Sequence, residues 1–401
     1  MFKKLLILII TAFVDMVGLL MVLPLMPYYA RTLGASALMV TLLVGSFTAA
    51  QLVSAPLWGR FSDRYGRRPA LLVGLGSAAI AYVVFAFAGS LWLLLLSRVV
   101  QGAGGGTVGV VQAYVADATE PKNRAKALGW LSAATNVGVA LGPPLGSLAL
   151  LAGRSGPGLT AAGLCLINMA FAWKYLHESR DMHAARSSLR KPGASRAALA
   201  RVLTHAGEPG PRLIWIYAIA MGAFSGTTAI LALFLMDRFG VGERRIWMFF
   251  TYIGTISVIT RAGILGWAVD RFGEARLSRI GLVLLATGLA GFPFVRNYVL
   301  LALVIACIPL GTAFTFPCVT SLLSRVIPSN ERGLYMGVQQ TYGGIARVVI
   351  PLWAGFSYDH FGKGVPFMTS SILVLGSLFL GFGVDDGRKV KAPPEPVEVA
   401  V

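Results

Sequence analysis

Twelve apolar stretches run the length of this chain, each close to the ~20 residues a helix needs to cross the hydrocarbon core of a bilayer. They cover 5–29, 38–58, 70–89, 91–115, 128–151, 159–176, 213–236, 246–268, 278–295, 298–323, 333–356 and 364–384. In hydrocarbon every backbone N–H and C=O must be satisfied internally, so each stretch is expected to be a helix. Composition points the same way. Hydrophobic residues make up 56% of the 401 and charged residues 13%, against ~25% charged in a typical globular domain. Too little polar surface remains to coat a water-soluble particle. A secreted enzyme, a soluble nucleic-acid-binding domain and a disordered chain are excluded on that ground.

Met1-Phe2-Lys3-Lys4 before an apolar run has the look of a secretion signal. The run continues to Tyr29 with no small-residue cleavage site, so it reads as a retained first span. The cysteines, Cys165, Cys307 and Cys318, all lie in apolar runs and read as small buried hydrophobes, not as a disulfide framework. Most connections are short. Residues 177–212 are polar, basic and rich in Gly, Pro and Ser, and they divide the spans six and six. The expected organisation is a first half over 1–176, a cytoplasmic linker over 177–212, a second half over 213–384 and a cytoplasmic tail over 385–401.

The formal charge of +18 would suggest an acidic partner on a soluble protein. Resolved by position, it reports topology instead. With the N-terminus inside, the inner segments carry 25 Lys and Arg and the outer loops seven, the loop 237–245 being a local exception. That bias places both termini in the cytoplasm of a multi-pass protein of the inner membrane, and no nucleic acid is needed to explain the charge. An internal repeat supports the division. A shift of 207 carries Gly59, Asp63, Arg64 and Gly66 onto Gly266, Asp270, Arg271 and Gly273, and Pro121, Asn123 and Pro144 onto Pro328, Asn330 and Pro351. Six spans separate each residue from its copy, an even number, so the halves are parallel repeats. A substrate site between them near the midplane is the transporter arrangement this implies.

Gly59-Arg-Phe-Ser-Asp63-Arg64-Tyr-Gly66-Arg67-Arg68-Pro69, between spans two and three, resembles the loop signature of the major facilitator superfamily, with a degenerate copy at Gly266-Trp-Ala-Val-Asp270-Arg271-Phe-Gly273. Arg98-Val-Val-Gln101-Gly102 in span four is similar to its second signature. Gly138-Val-Ala-Leu-Gly142-Pro143-Pro144-Leu-Gly146 in span five resembles that of its drug:proton antiporters. Asp15-Met-Val-Gly18 with Pro24-Leu-Met-Pro27 resembles the first helix of the tetracycline exporters. The resemblance covers the whole chain. It implies an all-helical bundle of twelve spans in two six-helix halves, acting as a monomer on a small-molecule substrate. It further implies that Asp63 meets the N-terminal end of span eleven and Arg67 pairs with Asp117, a latch that holds while the cavity faces out.

Each motif also has a plainer reading. The loop glycines permit a tight turn and the arginines could serve only as topology anchors. In span five, Gly142-Pro143-Pro144 removes backbone donors and is expected to prevent a regular helix, while the glycines allow close packing. This fits a packing helix and a bend that seals against ion leak equally well. Gly104-Gly-Gly-Thr-Val-Gly109 matches a dinucleotide fingerprint only formally, since no strand precedes it; close packing of span four explains it. No phosphate loop or metal-ligand spacing occurs, so no cofactor is expected beyond a proton gradient as the energy source.

An ionisable residue inside a span is a functional hypothesis by default. Asp15 lies ~15 Å from the inner edge at 1.5 Å per residue, near mid-membrane, and is the only acid so placed. A carboxyl that is neutral in one state and charged in another is a proton carrier; a structural ion pair or hydrogen bond is the alternative. Arg98, ~10 Å from the outer end of span four, is its natural partner. Arg261 could snorkel to the interface, and Arg347 lies deeper. Asn136, Gln51, Gln112, Gln339 and Gln340 add polar groups. Asp15, Arg98, Asn136, Gln340 and Arg347 are the candidate substrate ligands. One departure matters: spans three and nine lack the acids that the tetracycline exporters carry there, span three reading Ala79-Ile-Ala81-Tyr82-Val. One Asp against three Arg inside the spans favours an anionic substrate over a cationic drug. The function expected is proton-coupled efflux of a small amphipathic drug or metabolite. The alternatives are a metabolite symporter or uniporter on the same scaffold, or a membrane sensor that transports nothing.

Overall fold

A computed structural model describes residues 2–105, 107–119, 121–176, 178, 194–329 and 331–383. The first six spans become α1 (Phe2–Val22, continued by a 3-10 turn Leu23–Leu25 and a helical stretch Met26–Thr32), α2 (Ala37–Tyr65), α3 (Arg67–Ala86), α4 (Leu91–Gly104, resumed as Thr107–Ala118), α5 (Pro121–Ala149) and α6 (Gly156–Tyr175). A linker helix, Ala194–Thr204, follows. Then come α7 (Pro209–Phe239), α8 (Ile246–Ile259, a π-helical turn Thr260–Ile264, then Leu265–Phe272), α9 (Glu274–Gly291), α10 (Tyr298–Val326), α11 (Arg332–His360) and α12 (Val365–Leu380). Ten of these are long and apolar enough to cross a membrane, and α12 is a shorter apolar helix. The 29 residues of α11 suffice in length, but Gln339, Gln340 and Arg347 dilute its apolar run. Large apolar side chains such as Val53, Ile80, Ile167, Leu303 and Ile372 cover the outer surface, as lipid contact requires.

Local chemistry sets the ends. Ser36, Ser90 and Asn297 cap α2, α4 and α10 by accepting from the N–H of Met39, Leu93 and Leu300. Gly66 and Gly273, at φ +104° and +75°, turn the chain into α3 and α9. The described end of the linker is helical and packed on the bundle. Val202 is fully buried, the Leu199 carbonyl accepts from Tyr342 Oη and the Val202 carbonyl from Trp215 Nε1, so this helix docks on the ends of α7 and α11.

The repeat is visible in the packing. The pairs α1–α5, α1–α6, α2–α4, α3–α4 and α3–α6 each recur six helices on, as α7–α11, α7–α12, α8–α10, α9–α10 and α9–α12. The principal contacts between the two sets, α2–α11 and α5–α8, exchange under the same operation. We call the side holding the loop 65–67 and the linker helix the linker face, and the opposite side the far face. The bundle is closed at the far face. Asp359 at the end of α11 accepts from the N–H of Ala37 (3.0 Å) and Leu38 (2.8 Å) at the start of α2. Tyr28 Oη donates to the Val241 carbonyl at 2.7 Å. Arg31 reaches Asp237 at 3.5 Å, and Lys363 and Tyr358 Oη join the same carboxylate.

Two helices depart from the sequence expectation. Span four was read as continuous, but it breaks at the glycine run. Gln51, Ser54 and Trp58, on one face of α2, donate to the carbonyls of Gly105, Gly102 and Ala103, which offsets the cost of interrupting a helix in hydrocarbon. Span five shows the opposite. Pro143 and Pro144 were expected to prevent a regular helix, yet α5 runs unbroken through both. Packing against α1 and α8 keeps it helical despite the loss of donors.

A Cβ at Gly102 would collide with the Phe47 carbonyl, whereas one at Gly109 on the same span meets nothing within 4 Å. Gly102→Ala is therefore expected to destabilise by about 1–3 kcal/mol, the usual cost of overpacking. Gly109→Ala is expected to change nothing. Melting of the detergent-purified variants checks both.

Candidate functional site

Between the two helix sets, in the half nearer the linker face, lies a cavity of about 600 Å³. Its polar lining comes from Thr11 and Asp15 of α1, Gln112 of α4 and Ser132 and Thr135 of α5, while Thr320 of α10 and Met336 of α11 face them from the second set. The position of Asp15 follows from α5. Gly138, Gly142 and Gly146 recur at four-residue spacing and form a groove into which the backbone of α1 sinks. A Cβ at each would press on the Phe13 carbonyl (2.9 Å), Leu20 Cβ (2.6 Å) or the Met21 carbonyl. The antiporter-like motif thus fixes α1 with Thr11 and Asp15 on the cavity wall. Pro143 is buried in the same helix.

Arg98 lies behind α1 at 1% exposure. Its Nε donates to Ser97 Oγ at 3.5 Å, its guanidinium sits 5.5 Å from the Phe85 ring, and its Nη2 is buried without a partner. The expected Asp15–Arg98 ion pair is not formed among the described residues. Tyr82 stands in its place: its hydroxyl accepts from Gln101 Nε2 at 2.7 Å, and the charges of both Asp15 and Arg98 reach it. The depth argument sets the two residues level, but lateral position is invisible to it. Gln112 lines the cavity, while Asn136 is half-buried one residue beyond Thr135 and outside the lining. Gln339 is fully buried and accepts from Thr320 Oγ1, and Gln340 Nε2 donates to Tyr217 Oη at 3.3 Å. Arg261 and Arg347 are half-buried with their Nε atoms fully buried.

At the linker face, Asp63 pairs with Arg67 at 3.0 Å, and Arg67 also donates to Ser62 Oγ. The side chain of Asp117 lies outside the described residues. Gly59 is exposed, and Arg64 lies over the Tyr65 ring. What the sequence reading missed is Glu178. Its carboxylate accepts from the N–H of Arg67 (2.9 Å) and Arg68 (3.1 Å), capping the start of α3 from the far end of the first half. A side chain at Gly66 would collide with it. In the second copy, Asp270 and Arg271 are both exposed. Beside them Glu274 accepts from Ser321 Oγ and pairs with Arg325, each at 2.8 Å. The 207-residue shift carries Arg67 onto Glu274 and Ala118, the neighbour of Asp117, onto Arg325. The second half thus carries an ion pair of reversed charge order near the place where the resemblance implies an Arg67–Asp117 pair in the first. The offset exposes it once charge type is ignored.

The profile described as Major Facilitator Superfamily matches residues 8–351 and again 262–398. The chain is 24% identical over 374 residues to "Tetracycline resistance protein, class B" of Escherichia coli, covering 92% of each, and 26% identical over 381 residues to "Multidrug resistance protein 2" of Bacillus subtilis (strain 168), covering 93% of each. Among solved structures it resembles that of the human organic anion transporter MFSD10 (TETRAN), with TM-score 0.71, 24% identity, and coverage of 94% of this chain and 99% of that one.

Proposed function

This chain belongs to the Major Facilitator Superfamily, a multi-pass membrane transporter and not an enzyme, and we propose that it couples inward proton flow to export of a small amphipathic anion. The observation that carries the reading is Asp15, an acid near mid-membrane on the wall of a cavity that is shut at the far face. A carboxyl there can take a proton in one state and release it in the other, and no other acid inside the spans competes with it. In this reading the linker face is cytoplasmic, the membrane is the inner one, the chain acts as a monomer, and its halves rock about the linker at 177–212. The loop around Gly59, Asp63, Arg64, Gly66 and Arg67, with Asp117 and with Asp270 and Arg271 in the second copy, holds the outward-facing state. The anionic preference is supported by three arginines inside the spans against one aspartate, and by the lack of acids in α3 below Arg67 and in α9 above Glu274. The relatives are named for tetracycline and multidrug resistance, and the solved neighbour for organic anions. The last of these agrees with the charge tally.

Reconstitution tests the reading. Purified protein in liposomes is expected to accumulate an organic anion against its gradient when a pH gradient is imposed, and to stop when a protonophore collapses that gradient. Equilibration with no need of the gradient would make it a uniporter. No movement of any anion, cation or metabolite tested would make it a sensor.

A further inference from the structure

We propose that the second half carries a built carboxylate site around Tyr217, formed by Arg261, Arg347 and Gln340, with Phe316 as its apolar wall. It rests on the transporter reading above only for its biological use; the site itself stands on geometry. Tyr217 of α7, Arg261 of α8, and Gln340 and Arg347 of α11 lie eight to fifteen residues from the linker-face ends of their helices, or about 12–22 Å at 1.5 Å per residue. All four therefore sit near mid-membrane, on three different helices.

Gly343, one turn before Arg347, packs closely on the Tyr217 ring, and the turn Thr260–Ile264 that holds Arg261 contacts α10, whose Phe316 lies against the same ring. Neither guanidinium is paired with a carboxylate or a hydrogen-bond acceptor among the described residues, and the Nε of each is buried and unsatisfied. No acid is available to neutralise them. The second half has no Asp or Glu between 213 and 236, 246 and 269, 278 and 330, or 332 and 358. Uncompensated charge at this depth is rare and marks a substrate path. The Tyr217 hydroxyl accepts from Gln340 Nε2 and spends its own proton on no described partner, so it offers a further donor. Guanidiniums present paired N–H groups that match a carboxylate bidentately. Two of them with a phenol hydroxyl fit one carboxylate better than any cation.

The backbone carries an independent mark. Arg261 lies in the π-helical turn Thr260–Ile264. Such turns are rare and recur at functional sites, because the extra residue re-aims the side chains that follow. Here the turn sets Arg261 inward while Ala262, Gly263 and Ile264 stay on the exposed surface. The apolar wall is equally specific. Phe316 packs 5.4 Å from Tyr217 and 6.5 Å from Phe224. The site also adjoins the cavity: Thr320, one turn from Phe316, is in the cavity lining and bonds Gln339, the neighbour of Gln340. The ligand class that follows is a monocarboxylate with an aromatic or alicyclic body. Its body would occupy the 600 Å³ cavity, within the range of drug-sized sites.

Isothermal titration of full-length protein in detergent, with 2-naphthoate as the probe, tests the proposal. The neutral 2-naphthylmethanol has the same shape, and tetraphenylphosphonium has the opposite charge. Naphthoate is expected to bind at least about tenfold more tightly than either. Arg261→Gln and Arg347→Gln are each expected to weaken it by about tenfold or more, with unchanged melting. If a Gln variant fails to fold, Arg261→Lys and Arg347→Lys keep the charge, lose the fork, and are expected to weaken binding by about threefold to tenfold. Equal affinity for acid and alcohol, preference for the phosphonium, or wild-type naphthoate affinity in the folded Arg variants would each overturn the site. The titration uses no membrane and no gradient. Failure of proton coupling therefore leaves its result standing, and failure here leaves proton coupling standing.

Discussion

Asp15→Asn is expected to abolish accumulation driven by a pH gradient, lowering the steady-state ratio to equilibration, while substrate still exchanges downhill. Asparagine keeps the size and hydrogen-bonding reach of the aspartate on the cavity wall but binds no proton between pH 4 and 10. The effect is thus specific to titration. The alternative, a structural aspartate, makes a different prediction, because loss of a buried ion pair costs stability. Arg98 does not depend on Asp15 for a partner: its surroundings are Ser97, Phe85 and the Tyr82–Gln101 pair. A lowered melting temperature of Asp15→Asn with uphill transport intact would instead mark the aspartate as structural. Asp15→Glu retains a titrating carboxyl one methylene longer, and is expected to keep uphill transport at reduced rate. Uphill accumulation by Asp15→Asn in proteoliposomes would remove Asp15 from the coupling path.

Much of this architecture was legible because hydrocarbon leaves the backbone so few options. The span boundaries came within a few residues at most ends, and the 207-residue offset reappears as helix pairs that recur six helices on. Glycine spacing in span five pointed correctly to close packing, and the groove for α1 is its result. What escaped was set by neighbours instead of by local pattern. The break in α4 depends on Gln51, Ser54 and Trp58 arriving from α2. The π-helical turn has no sequence period of its own. Asp15 and Arg98 share a depth, yet Tyr82 intervenes sideways, and hydropathy carries no lateral coordinate. Glu178 sits at the edge of a polar linker, where a single acid looks like solvated surface until the N–H groups of Arg67 and Arg68 are found on it.

Asp237→Asn combined with Asp359→Asn is expected to move the resting population from far-face-closed toward far-face-open. The two carboxylates are the charged part of the seal. Asp359 of α11 takes two N–H groups at the start of α2, where the helix dipole adds to the hydrogen bonds. Asp237 of α7 gathers Arg31 of α1 with Tyr358 and Lys363 of its own half. Asn at 359 keeps one acceptor and loses the charge; Asn at 237 loses its attraction for both cations. Hydrogen bonds to a charged group contribute about 1.5–3 kcal/mol, and those of the exposed Asp359 lie at the low end of that range. The Asp237 ion pairs are partly exposed and contribute less. Together the changes are worth a shift of roughly tenfold to a hundredfold between states. The apolar part of the seal, including the packing of Gly355 on Ala37 and Leu38, where an added Cβ would lie 2.8 Å from each, is untouched, so the fold is preserved while the balance moves. Spin labels at Met39 and Arg244, both exposed and on opposite halves, report the result as a longer distance distribution. If the seal were only packing, the distribution would stay where it is. The linker-face loop makes the opposite prediction from the same balance: if Asp63 holds the outward-facing state, Asp63→Asn shortens the Met39–Arg244 distances that the far-face pair lengthens.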